Sequence, residues 1–316
     1  MPELVTIGET MAALSSVRTG PLRHASTLEL SVAGAESTVA IGAARLGRTA
    51  AWVGRLGADE LGERIRTTLR GEGVDVHAAT DPTAPTGLMI KERRTADRRR
   101  VHYYRAHSAG SRLDPGDLPD GLIEGAAVLH TSAITLALSD SAAATVHDAV
   151  HRARAAGVTV SFDANYRAKL WQPADYRWAV TTLLPAVDVL FASLDEARVQ
   201  LRTDTSDPAE LAAALLERGP RTVVITLGAR GALSAGPSGV VRTEAVRVSE
   251  TDPVGAGDSF VAGYLSATLD GRDEPDRLAC AGRVAACSVS AHGDWEGLPT
   301  AAELADFRSD ATDVSR

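Results

Sequence analysis

The chain reads as an α/β protein built on a mostly parallel sheet covered by helices on both faces. Short apolar runs of strand length alternate with segments of helical period along most of the sequence, and such alternation calls for crossover helices between parallel strands. Polar clusters stand immediately after several of these runs, at the strand ends where sheets of this kind bind ligands. In the first half, two strand-like runs follow one another without an intervening helix, which is the mark of a hairpin outside the main sheet.

Taken in order, Leu4 to Gly8 is a buried strand ended by glycine, and Glu9 and Thr10 after it face a site. Thr27 to Val32 is extended and leads into Ala33-Gly34-Ala35-Glu36-Ser37-Thr38 and a helix carrying Val39, Ile41, Ala44 and Leu46, closed by Gly47. Ala50 to Gly57 is a strand, and Asp59 caps a helix with Leu61, Ile65 and Leu69 on its apolar face, ending at Gly71. Thr86 to Lys91 and Val101 to Arg105 are the hairpin strands. With the strand before Gly34 they form a small lid sheet, drawn from segments of about 12–33 and 86–106. The basic run Arg98-Arg99-Arg100 between them reads as a solvated tip, with steering of an anion as the lesser alternative. Alternation then resumes: strand Ala127 to His130, helix Ser141 to Ala156, strand Val158 to Phe162, helix Tyr176 to Leu184, strand Val187 to Ala192, helix Pro208 to Arg218 and strand Thr222 to Leu227. The tail after Ser309 reads as frayed.

A length of 316 residues suits one large domain running from 1 to 316, and 44% hydrophobic residues supply an ample core. No apolar run approaches the ~18 residues of a membrane span. The opening Met1-Pro2-Glu3-Leu4 carries no basic leader, so no export signal is expected and a cytoplasmic location follows. A net charge of −8 argues against nucleic acid as a partner. Cys280 and Cys287 fall two turns apart on one helix and read as core thiols of a reducing compartment.

The stretch Asp252-Pro253-Val254-Gly255-Ala256-Gly257-Asp258-Ser259-Phe260 organises the rest. Its glycines open a helix carrying Phe260, Val261, Tyr264, Leu265 and Leu269, and the first turn of a helix offers unpaired N–H groups to a phosphate. Asp258 stands where a base could receive the proton of an attacking hydroxyl. The P-loop pattern fails, because the only lysines are Lys91 and Lys169, and the dinucleotide fingerprint fails at Phe260.

Other clusters occupy strand ends. Asp163-Ala164-Asn165-Tyr166-Arg167 places an arginine where an anion would be met. Ser193-Leu194-Asp195-Glu196 is a capping box, with a carboxylate ordering Mg²⁺ through water as the functional alternative. Gly228-Ala229-Arg230-Gly231 is a glycine turn able to admit a nucleotide. Tyr103 and Arg105 share one strand face and can meet one ligand. His147 and His151 have zinc-helix spacing but an aspartate, Asp148, where the general base would be glutamate, and no third ligand is suggested.

Joined together, these motifs resemble the ribokinase-like (phosphofructokinase B) sugar kinases over nearly the whole chain, and within them the keto-deoxy sugar acid kinases. The finer likeness lies in Gly8-Glu9-Thr10-Met11, Gly34-Ala35-Glu36, Tyr103-Tyr104-Arg105, Asp163 to Arg167 and Gly293-Asp294-Trp295-Glu296-Gly297. The resemblance implies a three-layer α/β sandwich with a small β lid. It implies ATP and Mg²⁺ as cofactors, leaving a monovalent cation open. By the same likeness Asp258 is the general base, with the amides of Gly255, Ala256 and Gly257 as the anion hole. Gly34, Tyr103, Arg105, Arg167 and Asp294 would hold the sugar acid. Asn165, Ser193, Thr226, Gly228, Gly231, Gly255 and Gly257 would face the nucleotide, and Glu196 its magnesium. Ala33 and Thr38 depart from the family's glycine and asparagine, and Ser193 and Thr226 from residues common in its branches.

The expected reaction is phosphorylation of the terminal hydroxyl of a sugar acid, first of all 2-keto-3-deoxygluconate. A neutral-sugar kinase and a non-catalytic sugar sensor are the competing readings. Since phosphoryl transfer depends more on positioning and charge than on a strong base, Asp258 could keep a near-normal pKa and still serve. The resemblance also implies pairing of copies through the lid strands, whose exposed edges would otherwise invite association.

Overall fold

The computed structural model describes residues 1–95, 98–249 and 251–307. The tail after Ser309 and part of the Arg93 to Arg100 stretch lie outside them. In chain order the strands are β1 (Leu4–Ile7), β2 (Met11–Ser16), β3 (Leu28–Ala33), β4 (Ala50–Gly57), β5 (Asp75–Asp81), β6 (Leu88–Arg93), β7 (Arg99–Tyr104), β8 (Val128–Ser132), β9 (Thr159–Asp163), β10 (Val189–Ser193), β11 (Thr222–Thr226), β12 (Ala232–Gly236) and β13 (Gly239–Thr243). The helices are α1 (Ala35–Arg45), α2 (Glu60–Gly71), α3 (Ala133–Leu136), α4 (Asp140–Ala156), α5 (Pro173–Leu183), α6 (Leu194–Leu201), α7 (Pro208–Leu216), α8 (Ala256–Leu269), α9 (Glu274–Val289) and α10 (Ala301–Asp306).

A sheet of nine strands runs β13-β12-β11-β10-β9-β8-β1-β4-β5. It is parallel from β5 to β11 and turns antiparallel only in the closing β12–β13 hairpin. Side chains leave its strands alternately for two cores, as a period of two requires. Val5, Ile7, Leu129, Val160, Phe162 and Val223 pack under α4 to α7. Leu4, Trp52, Val128, Phe191 and Val224 pack under α1, α2, α8 and α9. Helix α8 is buried from Ser259 to Ala267 because α1 and α9 flank it, and this central place explains its apolar surface all round. Gly263 lets α9 come close: a β-carbon there would sit 2.9 Å from the Ala281 α-carbon.

Local chemistry fixes several boundaries. Asp59 accepts the Gly62 N–H and starts α2, Ser139 accepts that of Ala142 to start α4, and Gly157 ends α4 with φ +74°. Ser193 and Glu196 form the expected capping box at the head of α6.

The lid is a four-stranded sheet in the order β3-β2-β6-β7. Its strands β6 and β7 make the expected hairpin, with Met89 opposite Tyr103 and Lys91 opposite Val101. The first of them starts at Leu88 rather than Thr86, because the Thr86 hydroxyl and amide are taken up by the Asp59 carboxylate. Met11, Ala13, Ala33 and Met89 cluster on one lid face. Arg99 corrects the reading of the basic run as a solvated tip. Its guanidinium crosses to Asp252 and donates to the Thr251 carbonyl at 2.6 Å, so a charge pairing with a distant loop orders this end of β7.

Candidate active site

Helix α8 opens on Gly255, whose φ of +79° suits only glycine, and a β-carbon there would stand 2.3 Å from the Asp294 carbonyl oxygen. Among the described residues the amides of Gly255, Gly257 and Asp258 meet no protein acceptor. That of Ala256 departs from the expected anion hole, because the turn into the helix aims it at the Pro253 carbonyl, 3.3 Å away. Asp258 lies in the first turn, half-buried, with the Asn165 side-chain amide 3.5 Å from its Oδ1. Burial pushes the Asp258 carboxyl up to about 7; Glu36, Asp294 and Glu196 add to the rise and Arg167 opposes it. Burial, with carboxylates from distant segments added to it, thus lifts Asp258 away from the near-normal value that the sequence left open to it.

Two cavities meet at this helix mouth. The first, about 460 Å³, lies under the lid and reaches Gly34, Tyr103, Arg105, Arg167, Gly255, Asp258 and Asp294. Arg105 is buried, with its Nε donating to Glu9 Oε2 at 2.7 Å and its guanidinium 5.8 Å from the Tyr103 ring centre. Arg167 is exposed to the cavity and has no ion pair among the described residues. Asp294 receives the Lys91 ammonium from β6. Lys169 donates to the Val101 carbonyl at 2.6 Å and rests against Tyr103. Glu36 lies at the cavity floor, its Oε1 accepting from Ser132 at 2.6 Å and Thr135 at 2.9 Å, and burial raises its pKa.

The second cavity, about 540 Å³, is reached by Thr226, Gly228, Gly231, Ala256 and Gly257. Val246, Phe260, Ala285, Ala286 and Val289 give it an apolar lining. Gly231, at φ +90°, passes so close to β13 that a β-carbon would meet the Thr243 carbonyl at 1.9 Å.

Between the cavities, at the carboxyl ends of β9 and β10, stand Asp163, Asn165, Ser193 and Glu196. Asn165 has φ +30°, and its amide side chain also donates to Asp163 at 3.3 Å. Glu196 accepts the amides of Tyr166 at 2.9 Å and Ser193 at 2.7 Å. Burial raises Asp163 well above the usual range, and the charges of Glu196 and Asp258 raise it further. Such crowding of carboxyl groups fits a hard divalent cation held largely by phosphate and water oxygens. No group of three or more His, Cys, Asp or Glu among the described residues forms a metal cage. No described helix is long and apolar enough to cross a membrane.

The pfkB family carbohydrate kinase signature matches residues 1–301. The chain belongs to the pfkB family. Among pfkB relatives, it is 40% identical to the 2-dehydro-3-deoxygluconokinase of Thermoproteus tenax, over 97% of this chain and 94% of that one. It is 38% identical to the 2-dehydro-3-deoxygalactonokinase of Haloferax volcanii, over 92% of each. An uncharacterised sugar kinase from Pyrococcus horikoshii, solved in complex with ATP, superposes with a TM-score of 0.83 at 25% identity over 97% of this chain and 98% of that one. The pfkB membership agrees with the three-layer sandwich and lid described above, and makes carbohydrate phosphorylation the activity of the family.

The residues that the family resemblance assigned to the site all lie at one cavity or the other, or at the strand ends between them, while His147 and His151 lie on α4 away from both. Sequence reasoning gave Lys91 and Lys169 no place at a site, had Glu9 facing one without a task there, and left Glu36 without a role. It also missed the segment 244–248 that walls the second cavity. The two lysines carried a usable signal, since they are the only ones in a chain otherwise supplied with arginine.

Proposed function

We propose that this chain transfers the terminal phosphoryl group of ATP to the primary hydroxyl of a 2-keto-3-deoxy sugar acid, with 2-keto-3-deoxygluconate the first candidate. The observation that carries the reading is Arg167, a cation without an ion pair among the described residues, in the same cavity as the Asp258 carboxyl. A sugar acid spanning that cavity places its carboxylate on Arg167 and its far hydroxyl on Asp258. With a pKa near 7, Asp258 is matched to take up the hydroxyl proton at neutral pH. The amides of Gly255 and Gly257, at the positive end of α8, receive the charge of the transferred group. ATP takes the second cavity, where Gly228 and Gly231 allow close approach. Asn165 orients Asp258, and Ser193 and Glu196 flank the phosphates. Asp163 and Glu196 are the groups that would hold Mg²⁺, which supplies charge neutralisation between the phosphate oxygens.

The relatives named above act on the gluconate and galactonate epimers, so both acids belong in the test. A coupled ADP-release assay over these two acids, fructose and ribose decides the matter. Faster turnover of a neutral sugar than of either acid overturns the acid reading. The neutral-sugar alternative draws on one observation, that Glu9 already neutralises Arg105.

The outer lid face supports pairing of two copies: Leu30, Leu14, Ile90 and His102 stand side by side across it, none of them fully buried, and Tyr104 is 60% exposed. Light scattering on the purified protein checks this, and a monomer at micromolar concentration rejects it. The free thiols Cys280 and Cys287 accord with a reducing compartment such as the cytoplasm.

A further inference from the structure

We propose that Arg99, from the lid, is a positioning residue for phosphoryl transfer: it holds the loop that presents the Gly255 and Gly257 amides. The inference rests on the kinase reading above and deepens it.

Arg99 opens strand β7 on the same lid face as Val101 and Tyr103. One of its terminal nitrogens donates to Asp252 Oδ1 and the other to the Thr251 carbonyl at 2.6 Å. The same Asp252 oxygen accepts the Val254 amide at 3.2 Å, so the guanidinium is linked through one atom to the residue that precedes Gly255. The loop's other side is fixed to the end of α9, where the Thr251 and Asp252 amides share the Val289 carbonyl at 2.7 and 3.1 Å. Gly255 is gripped from the far side as well, since it packs on the Asp294 backbone and the Asp294 carboxylate holds Lys91 of the neighbouring lid strand. Two lid cations thus clamp the two walls of the anion hole.

Charge adds to geometry. Asp252 is 8% exposed and stands three residues before the hole. Without Arg99 its buried carboxylate would lose its counter-ion beside a site built for phosphate, which costs more than the loss of an ordinary surface pair. Both effects act on the reacting phosphoryl group and leave sugar binding largely untouched.

The test is steady-state kinetics of the full chain with MgATP and 2-keto-3-deoxygluconate, run beside thermal melting. Arg99→Ala is expected to lower kcat about 10-fold to 100-fold, the scale of a small misplacement at a reacting centre, with KM for the sugar acid nearly unchanged. Arg99→Lys is expected to recover part of the loss, because it restores the charge but not the two-pronged contact. In the double variant Arg99→Ala/Asp252→Asn the losses should fall short of additive, since the second change removes the orphaned charge. If Arg99→Ala unfolds, Arg99→Gln carries the same comparison. A folded Arg99 variant with wild-type kcat, or one whose loss appears only in KM, overturns the proposal. A wild-type protein that phosphorylates none of the sugars in the panel overturns the kinase reading instead, so the two failures are told apart.

Discussion

The two cavities that meet at α8 are made of different materials. Under the lid, charged side chains from distant segments do the enclosing: Glu9, Glu36, Lys91, Arg105, Arg167 and Asp294. On the other side of the helix mouth the enclosure is glycine backbone with small apolar side chains such as Ala285, Ala286 and Val289. A site of the first kind discriminates by charge and tolerates changes of shape poorly matched to it. A site of the second kind discriminates by how close the main chain can come, and an added methyl group is its natural perturbation. Substitutions should therefore separate cleanly by cavity.

The largest effect belongs to the helix mouth where the cavities meet, at Asp258, which lines the cavity under the lid. Asp258→Asn should lower kcat roughly 10²-fold to 10⁴-fold, the usual range for a general base, while calorimetry still detects ATP binding. Loss of ATP binding in that variant would merge the two sites into one and break the contrast. Next comes Gly231→Ala, a test of the backbone-built side. Its β-carbon would collide with the Thr243 carbonyl, and its φ of +90° strains any other residue. Strain of this kind is worth about 1–3 kcal/mol. KM for ATP should rise while KM for the sugar acid holds, and equal changes in both would count against separate cavities.

On the charged side, Arg167→Ala removes hydrogen bonds to a charged ligand, worth about 1.5–3 kcal/mol, or roughly tenfold to a hundredfold in KM for a sugar acid. A neutral sugar should hardly notice, so competition assays with the two classes sharpen the assignment. The smallest expected effect is a displacement on the pH axis. With Asp258 near 7, kcat/KM should rise as pH increases through that value, because the carboxylate must be unprotonated to accept the hydroxyl proton. Arg167 holds that pKa down, so in Arg167→Ala the rise should move to higher pH. A flat profile between pH 6 and 8, in the range spanned by about one unit either side of the Asp258 value, would remove this residue as the base.

The same contrast explains what could be read from the chain alone. The glycine-opened helix mouth is local: Gly255, Gly257 and Asp258 fall within four consecutive residues, and their spacing alone suggests a phosphate site. The Ser193 to Glu196 cap is equally local and took the form expected of it. Arg99 and Lys91 were illegible because their carboxylate partners lie 153 and 203 residues away. The shifted pKa of Asp258 escaped for the same reason, since the burial that raises it, and the Glu36 and Asp294 charges that add to it, arise only through the fold. Among the strands, β5 and β2 escaped the reading. The first is an edge strand with only its last residue fully buried, and the second is mostly alanine and serine. The β12–β13 hairpin was hidden by short runs that the glycine turn at Gly228 overshadowed.

Lys91 and Lys169 are the only lysines among 33 lysine and arginine residues, and both line the cavity under the lid. Acylating and imidate reagents attack primary amines and spare guanidinium groups, so beyond the terminal amine they have only the roof and wall of this chamber to modify. Mild amine labelling followed by peptide mass mapping thereby becomes a footprint of occupancy: a bound sugar acid should shield these two positions, and the untouched arginines elsewhere supply no background.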